Sequence, residues 1–243
     1  MQLLNPLVQH LLSDGMIVQV RGTCSLSKSI VERLLYLEAK VSTSLCNSLS
    51  KQHISLIKHT QAELMEIDGD YVISLDNSPG DLVVGKDLII HDMISDGSQS
   101  MWSSKVFHDW INGNTSLSKG THWWVGQSDV ADAIARLGMH AQKVENMHIC
   151  GRRAWDIEET YDEFIHLWSR SKSGQSGHFT SELLEPKPPP NVRVKPIANS
   201  TNERPKISDL HEALLKSDGQ GWRPAQNLRV ALMHFFAGVM SQF

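Results

Sequence analysis

The residues between Arg21 and Lys28 form a turn that could hold a phosphate group. They read Arg-Gly-Thr-Cys-Ser-Leu-Ser-Lys and follow a short apolar run. A turn between a strand and a helix presents backbone N–H groups to an anion, and serine hydroxyls and a lysine can add to them. The candidate cofactor-binding residues are Gly22, Ser25, Ser27 and Lys28. Gly22 is the only glycine of the turn, whereas dinucleotide-binding turns carry several. A remodelled cofactor site and a purely structural turn both remain open.

Cys24 and Lys28 are the candidate catalytic residues of the same turn. Their x-x-x-K spacing is the one at which a tyrosine and a lysine form an acid/base pair, because a nearby ammonium lowers the pKa of the tyrosine. A cysteine stands where that tyrosine would be required. The ordinary Tyr–Lys chemistry is therefore not supported at this turn.

The composition excludes several classes of function. Charged residues make up 21% of the 243 residues and the formal net charge is −4, so there is no basic excess for a nucleic-acid backbone. Three cysteines, Cys24, Cys46 and Cys150, are few, odd in number and far apart, which favours a reducing compartment. The 12 histidines show no H-x-H, H-x-x-x-H or H-E-x-x-H spacing, so we expect no metal site.

No membrane segment or catalytic loop of a common hydrolase or nucleotidase is expected. No apolar run reaches the 18 or more residues of a membrane span. The first residues carry no Lys or Arg before Arg21, so they lack the basic region of a signal or transit peptide, and we expect a cytoplasmic protein. Neither a G-x-S-x-G elbow nor a Walker loop occurs.

Hydrophobic periodicity predicts alternating strands and helices in the first half of the chain. An apolar run over 3–12 predicts a short helix. The predicted strands are Met16–Val20, Lys40–Leu45, His53–Lys58, Asp70–Leu75 and Asp87–His91. The predicted helices are Lys28–Glu38, with Ser27 at its N-cap, and Ser103–Asn112. A strand, a helix and closely spaced strands are typical of a doubly wound sheet.

The second half continues this alternation from Thr121 to Trp168. An aromatic strand leads through Ser128 and Asp129 into a helix, and a strand over Asn146–Cys150 leads to a second helix from Asp156, where Glu159 completes a capping-box pattern. The polar composition of residues 169–206 predicts a flexible segment, either a long surface excursion or a mobile lobe, in which the proline-rich run Pro186–Pro196 is expected to be extended. Helices over Ile207–Leu215 and Asn227–Met240 close the chain.

Several of these segments resemble those of the extended short-chain dehydrogenases, the NAD-dependent epimerase/dehydratase family that acts on nucleotide sugars. Trp124–Ile134 is similar to the family's F-V-H-V-D-D-V-A-x-A-I segment, with Ser128 in place of its first aspartate. Met147–Gly151 followed by Trp155–Glu159 is similar to Y-N-I-G-G … S-I-x-E. Gly221–Pro224, followed by two leucines, is similar to the L-G-W-x-P … L-x-x-G-L tail.

The resemblance also implies two substrate-binding residues. Leu88–Gly97 is similar to the strand and loop that carry R-x-x-N-V-Y-G-P, with His91 in place of the arginine. Arg204 is similar in placement to the arginine with which these enzymes hold a nucleotide diphosphate. The resemblance therefore implies a nucleotide sugar as ligand, contacted by His91 and Arg204.

The family's catalytic segment is missing from this sequence. Met16–Leu35 is similar to I-L-V-T-G-A-x-G-F-I-G-S-x-L-V-E-R-L-L, and Gly69–Leu75 is similar to G-V-D-x-V-I-H-L-A. Only ten residues then separate Asp76 from Asp87. In the family this interval carries two helices, a strand with the catalytic Ser/Thr and the Y-x-x-x-K pair.

Together these patterns predict an α/β protein with an abbreviated, Rossmann-like doubly wound parallel sheet and a small C-terminal substrate-type lobe. We expect the NAD(P)-binding-type domain over 1–168. The lobe, with its proline-rich linker and closing helix, would occupy 169–243.

Three hypotheses about function follow. The first is a catalytically degenerate epimerase/dehydratase-like protein that acts in binding, scaffolding or regulation, as a homodimer or as a heterodimer with an active homologue. The alternative is an active NAD- or NADP-dependent nucleotide-sugar epimerase/dehydratase or reductase with a remodelled site. A structural subunit of a larger assembly, without ligand or turnover, is the third.

Overall fold

A parallel five-stranded sheet organises the N-terminal part of the molecule. The computed structural model describes residues 15–98, 101–115, 120–177 and 203–241. The sheet has the order β3-β2-β1-β4-β5, and each neighbouring pair is parallel. Its strands are β1 (Ile17–Arg21), β2 (Lys40–Thr43), β3 (Glu63–Met65), β4 (Tyr71–Ser74) and β5 (Leu82–Val83). This order reverses direction at β1, as in a doubly wound sheet.

The sheet has one apolar face, which we call the inner face. In the register of the strands, Val18 lies beside Val41 and Tyr71, and Val20 lies beside Ile73. These side chains form one core with α1 (Ser25–Tyr36) and α5 (Gln127–Met139). Leu26, Ile30, Val31, Leu34 and Leu35 of α1 are fully buried in that core. The alternate side chains point to the opposite, outer face.

The outer face carries both polar and apolar residues, and loops lie on it. Its residues are Ile17, Gln19, Arg21, Lys40, Ser42, Glu63, Met65, Val72, Ser74 and Val83. Residues 66–70 join β3 to β4 and residues 75–81 join β4 to β5. Parallel strands are ordinarily joined by about a dozen or more residues, usually with a helix. In this chain two short loops take the place of those helices.

Two glycines let the loops lie directly on the outer face. A Cβ atom on Gly69 would lie 2.6 Å from Cβ of Gln19 and 2.8 Å from its backbone nitrogen. A Cβ atom on Gly80 would lie 2.9 Å from the carbonyl oxygen of Val72. The loops therefore approach the strands more closely than a chain with side chains at these positions could.

Aspartate side chains complete the hydrogen bonding of the shortened strands. The backbone N–H of Ile17 donates to Oδ2 of Asp70, and that of Val72 donates to Oδ2 of Asp81, each at 2.8 Å. The N–H of Val83 donates to Oδ2 of Asp87 at 2.8 Å. A carboxylate that accepts from a backbone N–H forms a charge-assisted hydrogen bond, so these aspartates stabilise the strands that they contact.

The remaining strands form three small sheets. β6 (Leu88–Ile90) is parallel to β10 (Met147–Ile149), and β7 (Met93–Ile94) is parallel to β9 (Val125–Gly126). β8 (Thr121–His122) and β11 (Trp155–Asp156) are antiparallel. A single bridge between Val84 and Leu88 links the end of β5 to β6.

The other helices are α2 (Cys46–Gln52), α3 (Ile54–His59), α4 (Val106–Ile111), α6 (Ile157–Ser176), α7 (Ser208–Asp218) and α8 (Leu228–Met240). Phe107, Trp110 and Trp124 form a second, aromatic core with α6 and α8. Helix α7 packs on the first core instead. Arg136 of α5 binds Asp218, the last residue of α7, with its Nη2 donating to Oδ1 at 2.7 Å.

The structure confirms the α/β class and the doubly wound sheet, but the predicted strand over His53–Lys58 is wrong. That segment is helix α3. Its alternation of apolar and polar residues resembles a strand, yet β2 and β3 are parallel and need a crossover between them. Helices α2 and α3 provide it.

Predictions about helix ends were also corrected. Helix α1 begins at Ser25 rather than Lys28, so Ser27 lies inside the first turn and Cys24 takes the N-cap position without a side-chain capping bond. Helix α6 likewise begins without a side-chain cap from Asp156, so the predicted capping box is not formed.

Helix α6 extends beyond the expected end at Trp168. It continues to Ser176 and ends at Gly177, which has a φ of +71°. A left-handed glycine is a common helix stop, and polar residues can extend a helix on its solvent side. Residues 169–176, which were expected to belong to a flexible segment, are therefore helical.

Some predictions fall outside the described residues. These are the helix over 3–12 and the proline-rich part of 169–206. The division into domains at 168/169 stays a prediction. Within the part of the chain that the structure describes, no helix is long and apolar enough to cross a membrane.

Candidate functional site

The turn after β1 depends on glycine at position 22. Gly22 has a φ of +122°, and a Cβ atom there would lie 2.9 Å from Oγ of Ser27 and 3.2 Å from Cβ of Leu75. The turn is therefore packed against the end of β4. It leads directly into the N-terminus of α1, where the helix dipole favours negative charge and no acidic residue lies in the first turn.

The hydroxyl groups of this turn contact other protein groups. Ser25 Oγ donates to Oε1 of Gln127 at 3.2 Å, and Nε2 of Gln127 donates to Oγ of Ser29 at 2.9 Å. Ser27 is fully buried, with its Oγ 3.1 Å from Sγ of Cys24. In this arrangement the backbone N–H groups, rather than the serine hydroxyls, are the groups that α1 offers to an anion. Lys28 lies on the first turn of α1 and is half-buried.

None of the three tyrosines of the chain lies in this turn. Tyr36 is 61% exposed and its ring packs on the edge of His53. The buried hydroxyl of Tyr71 donates to the carbonyl oxygen of Gln142 at 2.7 Å, and burial raises its pKa well above the usual range. Tyr161 packs against Trp110 in the aromatic core. No tyrosine is therefore positioned to act with Lys28.

A second polar cluster lies where β6 and β10 end. Nε2 of His91 is 2.9 Å from Nδ1 of His148, and the two ring centroids are 5.1 Å apart. The backbone N–H of His91 donates to the carbonyl oxygen of Ile149 at 3.0 Å. Burial lowers the pKa of His91, the neighbouring His148 lowers it further, and Asp92 opposes both effects.

Cys150 connects this cluster to the segment before α7. Burial raises the pKa of its thiol to about 11, against the opposing effect of the Arg204 guanidinium, which hydrogen bonds to it. The carbonyl oxygen of Cys150 accepts a hydrogen bond from Nε1 of Trp222 at 3.0 Å. The structure thus brings His91 and Arg204, the two predicted substrate-binding residues, to one region around β10.

Asp92 and His122 lie within hydrogen-bond distance of each other at the edge of the same region. Nδ1 of His122 lies 2.8 Å from Oδ1 of Asp92, whose Oδ2 accepts from the N–H of Trp123 at 2.8 Å. The His122 ring stacks on Trp124, with centroids 4.6 Å apart. Asp92 has a φ of +50°, so the turn between β6 and β7 is held in an uncommon conformation.

The turn after β1 and the cluster at β10 are joined by one set of elements. Ser25 contacts Gln127, which follows β9, and β9 pairs with β7, which follows His91 and Asp92. Both regions lie at carboxyl ends of parallel strands, where open α/β sheets bind their ligands. In the described ranges, no group of three or more His, Cys, Asp or Glu residues has the arrangement of a metal site.

Sequence reasoning missed an open groove beside the carboxyl end of β2. Its volume is about 590 Å³, and it is lined by Gln19, Ser42, Thr43, Ser44, Glu66, Ile67 and Asp68. The signal that could have found it is the polar run Ser42-Thr43-Ser44 at the end of β2, together with Glu66 and Asp68 after β3. A smaller cavity of about 290 Å³ lies near Met16 and His140, at the opposite end of β1. Neither is lined by a predicted site residue.

Comparison with known proteins supports the fold. No protein-family model matches the sequence, and no curated protein matches it. The structure is similar to a UDP-glucose 4-epimerase from Stenotrophomonas maltophila with bound NAD and formylated UDP-arabinopyranose, with 10% identity and a TM-score of 0.51, over 93% of this chain and 98% of that chain.

A second solved structure is less similar. It is a UDP-glucuronic acid 4-epimerase from Bacillus cereus in complex with a fluorinated UDP-sugar and NAD. The identity is 9% and the TM-score 0.46, over 93% of this chain and 99% of that chain. At 10% identity, the first of these comparisons establishes a Rossmann-like α/β fold.

Proposed function

We propose that this chain is an epimerase-like protein that binds a nucleotide-containing ligand without ordinary dehydrogenase chemistry. Its role would be binding, scaffolding or regulation near nucleotide-sugar metabolism, in the cytoplasm. The observation that carries the proposal is the placement of the tyrosines. Proton transfer at a sugar hydroxyl needs an acid/base group within hydrogen-bond reach of the substrate. Tyr36, Tyr71 and Tyr161 are all engaged elsewhere.

The shortened middle of the fold supports the same proposal. Residues 75–87 carry only β5, and Asp81 and Asp87 satisfy strand N–H groups there. These residues form the connections on either side of β5 and are held by these hydrogen bonds. The segment is therefore too short to contain a helix that could carry a substitute catalytic residue. A replacement acid or base would have to come from another part of the site.

Retained ligand binding is supported by the carboxyl edge of the sheet. The dipole of α1 favours an anion at the turn after β1, and Lys28 is close by. Glu66 and Asp68 in the groove beside β2 would favour a ribose with free hydroxyls over one with a 2′-phosphate, because like charges repel. The cofactor we propose is therefore NAD rather than NADP, with a nucleotide sugar near His91 and Arg204.

Binding and turnover assays on the full chain test this proposal. We expect NAD or a UDP-sugar to raise the melting temperature, since a ligand that binds only the folded state stabilises it. We expect no interconversion of UDP-sugars in the presence of NAD. Turnover at ordinary enzyme rates would instead establish the active, remodelled enzyme. No thermal shift with any nucleotide would favour the purely structural subunit.

The Lys28→Ala variant tests whether the cofactor binds at the turn after β1. It removes the cation beside the α1 N-terminus, so we expect it to abolish the thermal shift caused by NAD. Lys51→Ala, on an exposed position of α2, is the matched control and should leave the shift unchanged. An unchanged shift in both variants would show that the cofactor binds away from this turn. Size measurements with and without an active epimerase would test the proposed homodimer or heterodimer.

A further inference from the structure

The contact between His91 and His148 holds two parallel strands together at their carboxyl ends. His91 directly follows β6, and His148 lies within β10. Besides the imidazole contact at 2.9 Å, the strands are linked there by the N–H of His91, which donates to the carbonyl oxygen of Ile149 at 3.0 Å. These two strands form a sheet of their own, joined to the larger sheet by one bridge. The edge therefore has few other hydrogen bonds to keep it closed.

An imidazole pair at this distance needs one donor and one acceptor. A neutral imidazole has one nitrogen of each kind, whereas a charged imidazolium has only donors. When both rings carry a proton on the facing nitrogens, the hydrogen bond is lost and two like charges face each other. One proton can be accommodated, but two cannot.

The carboxylates near the pair reduce this conflict without removing it. Asp92 raises the pKa of His91, but burial and the neighbouring ring outweigh it, so that the pKa is lowered overall. Asp209, which interacts with His148, is shared with Lys206, whose Nζ lies 3.0 Å from its Oδ1. Cys150, which follows β10, is kept protonated by burial, and it hydrogen bonds to Arg204, so this contact adds no negative charge.

We propose that the His91–His148 contact is a proton-operated latch, which closes the β6–β10 edge at neutral pH and opens when the second imidazole is protonated. The inference goes beyond the proposed function and does not need it, because neither cofactor nor substrate enters the argument. Its consequence would be an edge near the predicted substrate residues that loosens in mild acid.

The direction of the effect follows from proton linkage. Burial and the neighbouring ring lower the pKa of His91 in the folded protein. The unfolded chain therefore binds this proton more readily, and folding stability falls as the pH drops below the ordinary histidine value of about 6.5. Burial lowers the pKa of His108 and His140 as well, so the wild-type profile alone does not isolate the latch.

Hydrogen exchange of the His91 amide provides the readout. Its N–H reports on the β6–β10 edge directly, and exchange is compared at about pH 7.5 and about pH 5.5 after correction for the intrinsic pH dependence. We expect protection at this amide to fall on the order of tenfold, because like charges a few ångströms apart repel strongly. Amides of β1 and β4 should keep their protection.

Two variants, each of which replaces one imidazole of the pair with an amide, test the proposal. His148→Asn places an amide near the position of Nδ1, and His91→Gln places one near Nε2, so each can keep a hydrogen bond without taking up a proton. Either variant that folds should lose the pH dependence at position 91. His59→Asn, at an exposed position of α3, should retain it.

Two outcomes of the exchange experiment would contradict the proposal. Equal loss of protection in wild type and His148→Asn, or no loss in wild type, would overturn the latch. Should both variants fail to fold, the exchange profile of the wild type decides. A loss of protection confined to the β6–β10 edge supports the latch, and an equal loss in β1 and β4 rejects it.

Discussion

The two faces of the central sheet are covered in different ways, by helices on the inner face and by loops on the outer face. On the inner face, Val18, Val20 and Ile73 are buried under α1 and α5. Helix α5 comes so close that a Cβ atom on Gly138 would lie 2.8 Å from Cδ1 of Ile73. On the outer face, loops lie on Gln19 and Val72, and aspartates bond to strand N–H groups.

This difference explains how a parallel sheet can be stable although loops, rather than helices, lie on its outer face. Parallel sheets usually carry apolar residues on both faces because helices cover both. In β1 and β2 apolar inner residues instead alternate with Gln19, Arg21, Lys40 and Ser42 on the outer face. The outer face therefore gains its stability from hydrogen bonds and close loop contacts, and much less from buried apolar area.

The largest expected effect tests the inner face. Ile73→Ala removes a fully buried side chain and leaves a cavity, so we expect it to lower the free energy of unfolding by about 2–5 kcal/mol. Ile17→Ala, the same substitution on the outer face, should cost about 1 kcal/mol or less, because Ile17 is only half-buried. Chemical denaturation measures both. Equal losses would contradict the distinction between the faces.

Gly69→Ala tests the close approach of the first loop. The new Cβ would lie 2.8 Å from the backbone nitrogen of Gln19, which cannot move like a flexible side chain. We expect a loss of about 1–3 kcal/mol in the free energy of unfolding. Asp68→Ala, at an exposed position of the same loop, is the control and should change stability little. A neutral Gly69→Ala would mean that the loop lies further from the sheet.

Asp81 variants test the carboxylate that replaces a backbone acceptor. Asp81→Ala leaves the N–H of Val72 without its partner at 2.8 Å, and we expect a loss of about 1 kcal/mol. Asp81→Asn keeps an acceptor oxygen and should lose less. Thermal melts of the two variants, measured side by side, check the order. If alanine is no worse than asparagine, the bond does not stabilise the strand.

The smallest effect concerns the exposed ion pair of the outer face. Lys40 Nζ lies 3.4 Å from Oε1 of Glu63, with side chains 39% and 53% exposed. A double-mutant cycle with Lys40→Ala and Glu63→Ala should give a coupling below about 0.5 kcal/mol, and added salt should reduce it further. A coupling above 1 kcal/mol would reveal a partner that shields this pair from water.

Much of the sheet could be predicted because its signals are local. The β-branched run that became β1, the stripe of α1 and the stripe of α5 each follow from neighbouring residues. The prediction failed at His53–Lys58, where six residues alternate like a strand but must cross between β2 and β3. Helix ends failed for a similar reason, since Ser27 bonds to Cys24 and does not cap α1.

The candidate site could be predicted only in pieces. Gly22 and Lys28 follow from the position of the turn after the first strand, and His91 and Arg204 follow from a resemblance. The groove lined by Thr43 and Glu66 was missed, because its two sides belong to different loops. No local pattern reports which loops will face each other.

The sequence by itself determined the alternation of strands and helices, the apolar stripes of α1 and α5, and the absence of a tyrosine from the turn after the first strand. Each of these depends on the types and spacing of residues within a short segment of the chain. Only the tertiary structure decided that His91 meets His148, that Arg204 reaches Cys150, and that Asp70 and Asp81 complete the strands. Most of these partners are far apart in the chain, and their contact depends on the packing of the whole sheet.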